Sequence, residues 1–151
     1  MELIDKNNLR ELKRIILFKK YKKILIVAGP TSFFTSKSNI LLEKILIEKK
    51  TFTFFKKKKL PELGELLSLI KTIKNFNPNL IIAIGGGAVL DLAKVANSLV
   101  FENNIKSNII KNTYTTKNFC DLFAIPMTAG TGAEVTTNAV IYINNKKFSV
   151  E

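Results

Sequence analysis

Apolar positions along this chain repeat in one order: a short unbroken run, a polar break, then a longer stretch with apolar residues three and four apart. Leu9, Leu12, Ile15, Ile16 and Phe18 lie on one helical face, with Asn7 and Asn8 as candidate caps. Ile24-Leu25-Ile26-Val27 does not alternate, which fits a strand covered on both faces, and Gly29-Pro30 ends it. Leu41, Leu42, Ile45 and Leu46 return to helical spacing among Glu43, Lys44, Glu48 and Lys49. Thr51-Phe52-Thr53-Phe54-Phe55 reads as the next strand. Pro61 marks a helix start, with Leu63, Leu66, Leu67, Ile70 and Ile73 as the buried stripe. Asn77-Pro78-Asn79 breaks the chain before Leu80-Ile81-Ile82-Ala83-Ile84, the strongest strand pattern, and a helix is predicted over 88–100.

From 102 to 118 the sequence turns polar and reads as a surface loop, with a turn of helix around Ile109 and Ile110. Leu122-Phe123-Ala124-Ile125 and Ala139-Val140-Ile141-Tyr142-Ile143 are strands, and Asn144-Asn145 is a hairpin turn leading to Phe148 and Val150. Strand, helix, strand, helix, strand, helix is the order of parallel βαβ units. The predicted fold class is α/β: a Rossmann-like, open, mainly parallel sheet with helices on both faces and a terminal β-hairpin. Residues 1–151 make one domain.

Composition narrows the chemistry. The net charge of +12 invites a nucleic-acid reading, yet all but two of the 24 basic residues are lysine, spread along the whole chain. Base readout and bidentate phosphate clamping favour arginine, so a solvated basic surface is preferred to a nucleic-acid interface. The dense run from 56 to 59 reads as a solvated loop. Histidine is absent, which removes Ser-His-Asp and Cys-His catalysis and histidine-ligated metal sites from these residues. Cys120, the single cysteine, has no internal disulfide partner and reads as an inert thiol. No apolar run reaches the ~18 residues of a membrane span, and no signal peptide opens the chain, so the expectation is a cytoplasmic protein without a membrane partner.

Two segments carry candidate chemistry. Ile84-Gly85-Gly86-Gly87-Ala88-Val89-Leu90-Asp91 joins a buried strand to a helix. Glycines there let a ligand approach the backbone, and the amides of the helix start face outward with the positive end of the dipole behind them. A pyrophosphate suits that turn, although it is not the G-x-G-x-x-G fingerprint. Asp91, read in the helix's first turn, either stabilises the helix or touches the ligand, and Lys94 pairs with solvent or with Asp91. Pro126-Met127-Thr128-Ala129-Gly130-Thr131-Gly132-Ala133-Glu134-Val135-Thr136 follows another apolar strand, offering small residues and hydroxyls. Thr131 and Glu134 also match a helix capping box.

Together, Gly85-Gly86-Gly87-Ala88-x-x-Asp91-x-Ala93-Lys94 and Pro126-x-Thr128-Ala129-Gly130-Thr131-Gly132-x-Glu134-Val135-Thr136 resemble the two signatures of the iron-containing (group III) alcohol dehydrogenases. The resemblance covers nearly the whole chain. It implies an N-terminal dinucleotide-binding domain, with Gly85, Gly86, Gly87 and Ala88 at the NAD(P) pyrophosphate and Asp91 close by. Thr128, Ala129, Gly130 and Thr131 would meet the cofactor's phosphate, ribose or adenine side, and Asn138 and Lys147 would line the cleft. It also implies that a C-terminal helical domain with the Fe²⁺ or Zn²⁺ ligands is absent from this chain. No catalytic or metal-binding residue is therefore assigned here, and the chain is expected to be an inactive fragment. The parent would interconvert a small alcohol with its aldehyde or ketone, and a homodimer stays open.

The sequence departs from the family pattern in places. Ala88 replaces a usual Ser, and Met127 and Ala133 replace a usual Thr and Ser, trimming polar contacts. Ala28-Gly29-Pro30 lacks the Asp that NAD-preferring relatives carry for the adenosine ribose, which tilts the choice between NAD and NADP towards NADP, with Thr31, Ser32 and Lys37 near the 2′-phosphate. A phosphonoacetaldehyde reductase-like branch, a dehydroquinate synthase- or glycerol dehydrogenase-like relative, and a non-catalytic nucleotide-binding module are the alternatives.

Overall fold

The computed structural model describes residues 6–127 and 136–151, with side chains from Glu11 onward. Helix α1 (Lys6–Phe18) leads into strand β1 (Lys23–Ala28), then α2 (Pro30–Thr35), α3 (Ser38–Ile45) and β2 (Lys50–Phe55). Helix α4 (Leu63–Phe76), β3 (Leu80–Gly85), α5 (Gly87–Ser98), α6 (Ile105–Lys111) and β4 (Asp121–Pro126) follow. Strands β5 (Ala139–Ile143) and β6 (Lys146–Val150) close the order. The first four strands form one parallel sheet in the order β2-β1-β3-β4, and β5 and β6 form an antiparallel hairpin. This is the predicted α/β architecture.

The unbroken apolar runs are explained by two cores, one on each sheet face. Leu25, Val27, Ile81 and Ala83 point into a core with α4, α5 and the hairpin. Ile24, Ile26, Leu80, Ile82 and Ile84 point into the other, with Leu12 and Ile16 of α1, Phe33 of α2 and Leu42 of α3. Strand side chains alternate between faces, so a strand covered on both sides needs apolar residues at every position. Strand β2 is the outer edge, and its Thr51 and Phe52 are exposed.

Several local expectations are corrected. Helix α1 already includes Asn7 and Asn8, and Phe18 at its end is exposed, because the chain turns there through Lys20 in the left-handed region. Helix α4 starts at Leu63 with Glu62 as N-cap, two residues after Pro61. Its buried stripe contains Leu69 and leaves Leu67 exposed. Gly29 and Pro30 do end β1 at Ala28, but Pro30 also opens a helix not expected there, standing at the first position of α2, where its missing N–H is harmless. The polar segment 102–118 holds the seven-residue α6, flanked by Asn104 and Asn112 in the left-handed region. Asn144 and Asn145 both have positive φ, as a two-residue hairpin turn requires. Among the described residues, no helix is long and apolar enough to cross a membrane.

Candidate functional site

Strand β3 delivers the glycine turn to the carboxyl end of the sheet. A Cβ on Gly85 would lie 2.7 Å from Cγ2 and 2.9 Å from Cβ of Val89, so the strand can enter α5 this tightly only without a side chain. Gly86 is the N-cap, with φ −76° and ψ 176°, and its carbonyl accepts from Val89 and Leu90. Being glycine, it brings no side-chain acceptor to the first turn. Helix α5 begins at Gly87, so Asp91 stands in its second turn and is stabilised less by the dipole than the sequence suggests.

The hairpin closes over this turn. Gly87, Ala88, Asp91, Asn138 and Lys147 line one cavity of about 380 Å³, with Leu60, Pro61, Thr136, Val140 and Tyr142 completing its wall. Five predicted residues therefore meet in one hollow. Burial raises the Asp91 carboxyl above its ordinary range, opposed by the Val140 N–H and by the charges of Lys94 and Lys147. Lys94 donates to the carbonyl of Thr136 at 2.7 Å, which fixes the chain as it enters the hairpin, a role the sequence reading missed. Asn138 donates to Glu151 at 3.3 Å.

Thr128, Ala129, Gly130 and Thr131, and the capping-box pair Thr131 and Glu134, lie outside the described residues. Their flanks are placed. Pro126 is in register with Gly85, and the Met127 N–H donates to the Gly85 carbonyl at 2.9 Å, so the segment departs from beside the glycine turn. It returns at Thr136, against Lys94 of the same helix.

Tyr142 was legible in principle. Asn138, Val140 and Tyr142 alternate along the strand and so share a face, and Tyr142 pairs with Lys147 across the hairpin. Leu60 and Pro61 carried no such signal, because they arrive from the loop after β2. Larger hollows of about 650 and 710 Å³ lie beside α6 and under β2, but none of the predicted site residues lines either. At the end of β1, Ser32 Oγ lies 3.3 Å from the Gly29 carbonyl, and Lys37 is exposed at the start of α3.

The chain is an open parallel α/β sheet with a glycine turn and a lysine-bearing hairpin at its carboxyl edge, the edge at which sheets of this class bind ligands. The match to known proteins is more specific. The iron-containing alcohol dehydrogenase profile matches residues 3–151, and the chain belongs to that family. The chain is 32% identical over 144 residues to an NADPH-dependent butanol dehydrogenase of Clostridium saccharobutylicum, covering 90% of this chain and 35% of that one. Its fold superposes with a TM-score of 0.87 on NADH-dependent butanol dehydrogenase A of Thermotoga maritima, at 18% identity, over 99% of this chain and 39% of that one. Sulfoacetaldehyde reductase of Bifidobacterium kashiwanohense, in complex with NAD+, gives 0.86 at 22% identity, over 99% and 40%. The chain thus spans well under half the length of these relatives.

Proposed function

We propose that residues 1–151 are the dinucleotide-binding domain of a nicotinamide-dependent alcohol dehydrogenase or aldehyde reductase, with the cofactor pyrophosphate seated on Gly85, Gly86, Gly87 and Ala88. The observation that carries this reading is the convergence of Gly87, Ala88, Asp91, Asn138 and Lys147 on one cavity at the carboxyl end of β3. N–H groups at the start of α5 donate to the phosphate oxygens, the Lys147 ammonium offsets their charge, and by the family resemblance Thr128 and Thr131 extend the contact along the cofactor. When bound, the nicotinamide supplies or accepts the hydride for a small alcohol and its carbonyl partner.

These residues do not fit a metal centre. The chain has no histidine, and its described residues hold no cluster of three or more His, Cys, Asp or Glu. In this reading any metal ligands, and most of the substrate pocket, come from sequence outside residues 1–151. At the ribose, Gly29 presents no carboxylate to repel a 2′-phosphate, so NADPH is expected to bind at least as tightly as NADH.

Titration of the chain with NADH and NADPH, followed by cofactor fluorescence and thermal shift, tests the seat. Gly86 has extended backbone angles open to any residue, so Gly86→Val is expected to fold. Its side chain would fill the phosphate seat and weaken binding on the order of tenfold or more. Undiminished binding by a folded Gly86→Val would place the cofactor elsewhere.

A further inference from the structure

Lys56, expected in a solvated loop, is the one buried charged side chain among the described residues, whereas Lys57, Lys58 and Lys59 are exposed. Its ammonium donates to the carbonyls of Lys58 and of Leu60, the latter at 3.0 Å, and lies 3.6 Å from Oε2 of Glu65. The other oxygen of Glu65 accepts the N–H groups of Lys57 at 2.6 Å and Lys58 at 3.0 Å. One ion pair thus folds the loop after β2 onto the first turn of α4. Burying an ammonium is costly unless it is paired and hydrogen-bonded, and three neighbouring lysines show that solvation was available at this loop.

The loop so held is a wall of the cavity. Directly after Leu60, the Pro61 carbonyl accepts the Tyr142 N–H at 2.8 Å, and Glu62 bridges to Tyr142 in parallel. Tyr142 pairs with Lys147 across the hairpin, and Leu60, Pro61, Tyr142 and Lys147 all line the cavity. Contacts therefore run without a gap from the buried ion pair to the lysine facing the glycine turn.

We propose that Lys56 and Glu65 are positioning residues for the dinucleotide cleft: they fix the loop on which the β5–β6 hairpin docks and so place Lys147 against the cofactor phosphate. This rests on the dinucleotide reading of the cavity. The pair touches no cofactor atom; it acts through Pro61 and Tyr142.

The test uses the intact chain with Lys56→Met, Glu65→Gln and the double variant, reading NADPH affinity and amide hydrogen exchange at Tyr142. The Ile82 amide in the central strand serves as a control for global opening. Each single variant is expected to speed Tyr142 exchange by about tenfold with Ile82 unchanged, and to weaken NADPH binding by about fivefold. The double variant is expected to be no worse than the weaker-binding single, since both changes break one link. If Lys56→Met does not fold, Glu65→Gln, which keeps a carbonyl acceptor for Lys57 and Lys58, carries the test. Unchanged Tyr142 exchange in the folded variants overturns the link to the hairpin. Faster exchange with unchanged NADPH affinity reduces the pair to a structural role and also overturns the proposal. A wild-type chain that binds no dinucleotide removes the reading beneath it, and the Tyr142 exchange then shows that the failure lies in the cofactor reading and not in the clasp.

Discussion

Two aspartates at opposite ends of one sheet are shifted in opposite directions. At the amino end, Asp121 opens β4 and accepts hydrogen bonds from the Tyr21 hydroxyl and from Lys19 at 3.1 Å, which hold its carboxyl below the usual range. At the carboxyl end, Asp91 is raised, chiefly by burial under the hairpin. The rest of each end follows suit. Near Asp121, Asn79 Oδ1 accepts the N–H groups of Lys22 and Lys23, and buried Asn97 exchanges hydrogen bonds with both the N–H and the carbonyl of Cys120. Burial there pushes the Cys120 thiol up to about 12, which keeps it inert. The amino end satisfies its polar groups internally. The carboxyl end gathers a helix start, a lysine and a partly desolvated carboxylate around a hollow. One end closes on itself; the other, in the proposed reading, receives.

The sharpest way to break this contrast is Gly85→Ala, because it asks whether the receiving end is also structural. The new Cβ would sit 2.7 Å from Val89, a buried side chain, and the strand–helix junction must shift to admit it. A loss of about 3 kcal/mol in urea unfolding is expected, with cofactor binding lost alongside. Adding Val89→Ala is expected to recover part of the stability. Full stability in Gly85→Ala alone would mean that the glycine serves only the ligand.

Asn97→Ala probes the closing end. It leaves the Cys120 N–H and carbonyl without their partner, and about 2 kcal/mol of stability is expected to go. NADPH affinity of the folded variant, measured well below its melting temperature, is expected to stay within twofold of wild type. A matching loss of affinity would show that the two ends are not separable.

The sequence made the buried strands plain, because a strand covered on both faces must be apolar throughout, as 24–27 and 80–84 are. The glycine turn was legible because three consecutive glycines after such a strand have few other uses. Helix faces were read less well. Leu67 and Leu69 are equivalent in the pattern, and packing, not spacing, leaves Leu69 buried and Leu67 exposed. Lys56 was not legible at all: four consecutive lysines look alike, and the one that turns inward does so because Glu65 and two carbonyls wait for it from a helix the pattern starts two residues too early.

Asp91→Asn makes the smallest change and has the opposite sign. A carboxyl whose folded-state pKa is raised binds its proton more tightly in the folded chain than in the unfolded one. Its ionised form therefore weighs against folding at neutral pH, and that burden lifts as pH falls through the raised value. Asn removes the charge while its side-chain carbonyl keeps an acceptor for the Val140 N–H. A small stabilisation is expected at pH 7, shrinking as pH falls and wild-type Asp91 takes up its own proton. Asp121 behaves the other way: its contribution is present above the unfolded-state carboxyl pKa and is lost as pH falls through its lowered folded value. Urea unfolding of wild type and Asp91→Asn across pH 3 to 7 separates the two. A variant destabilised at pH 7 would show that Lys94 and Lys147 outweigh burial at Asp91, and that the carboxyl end, like the amino end, is held together by its charge.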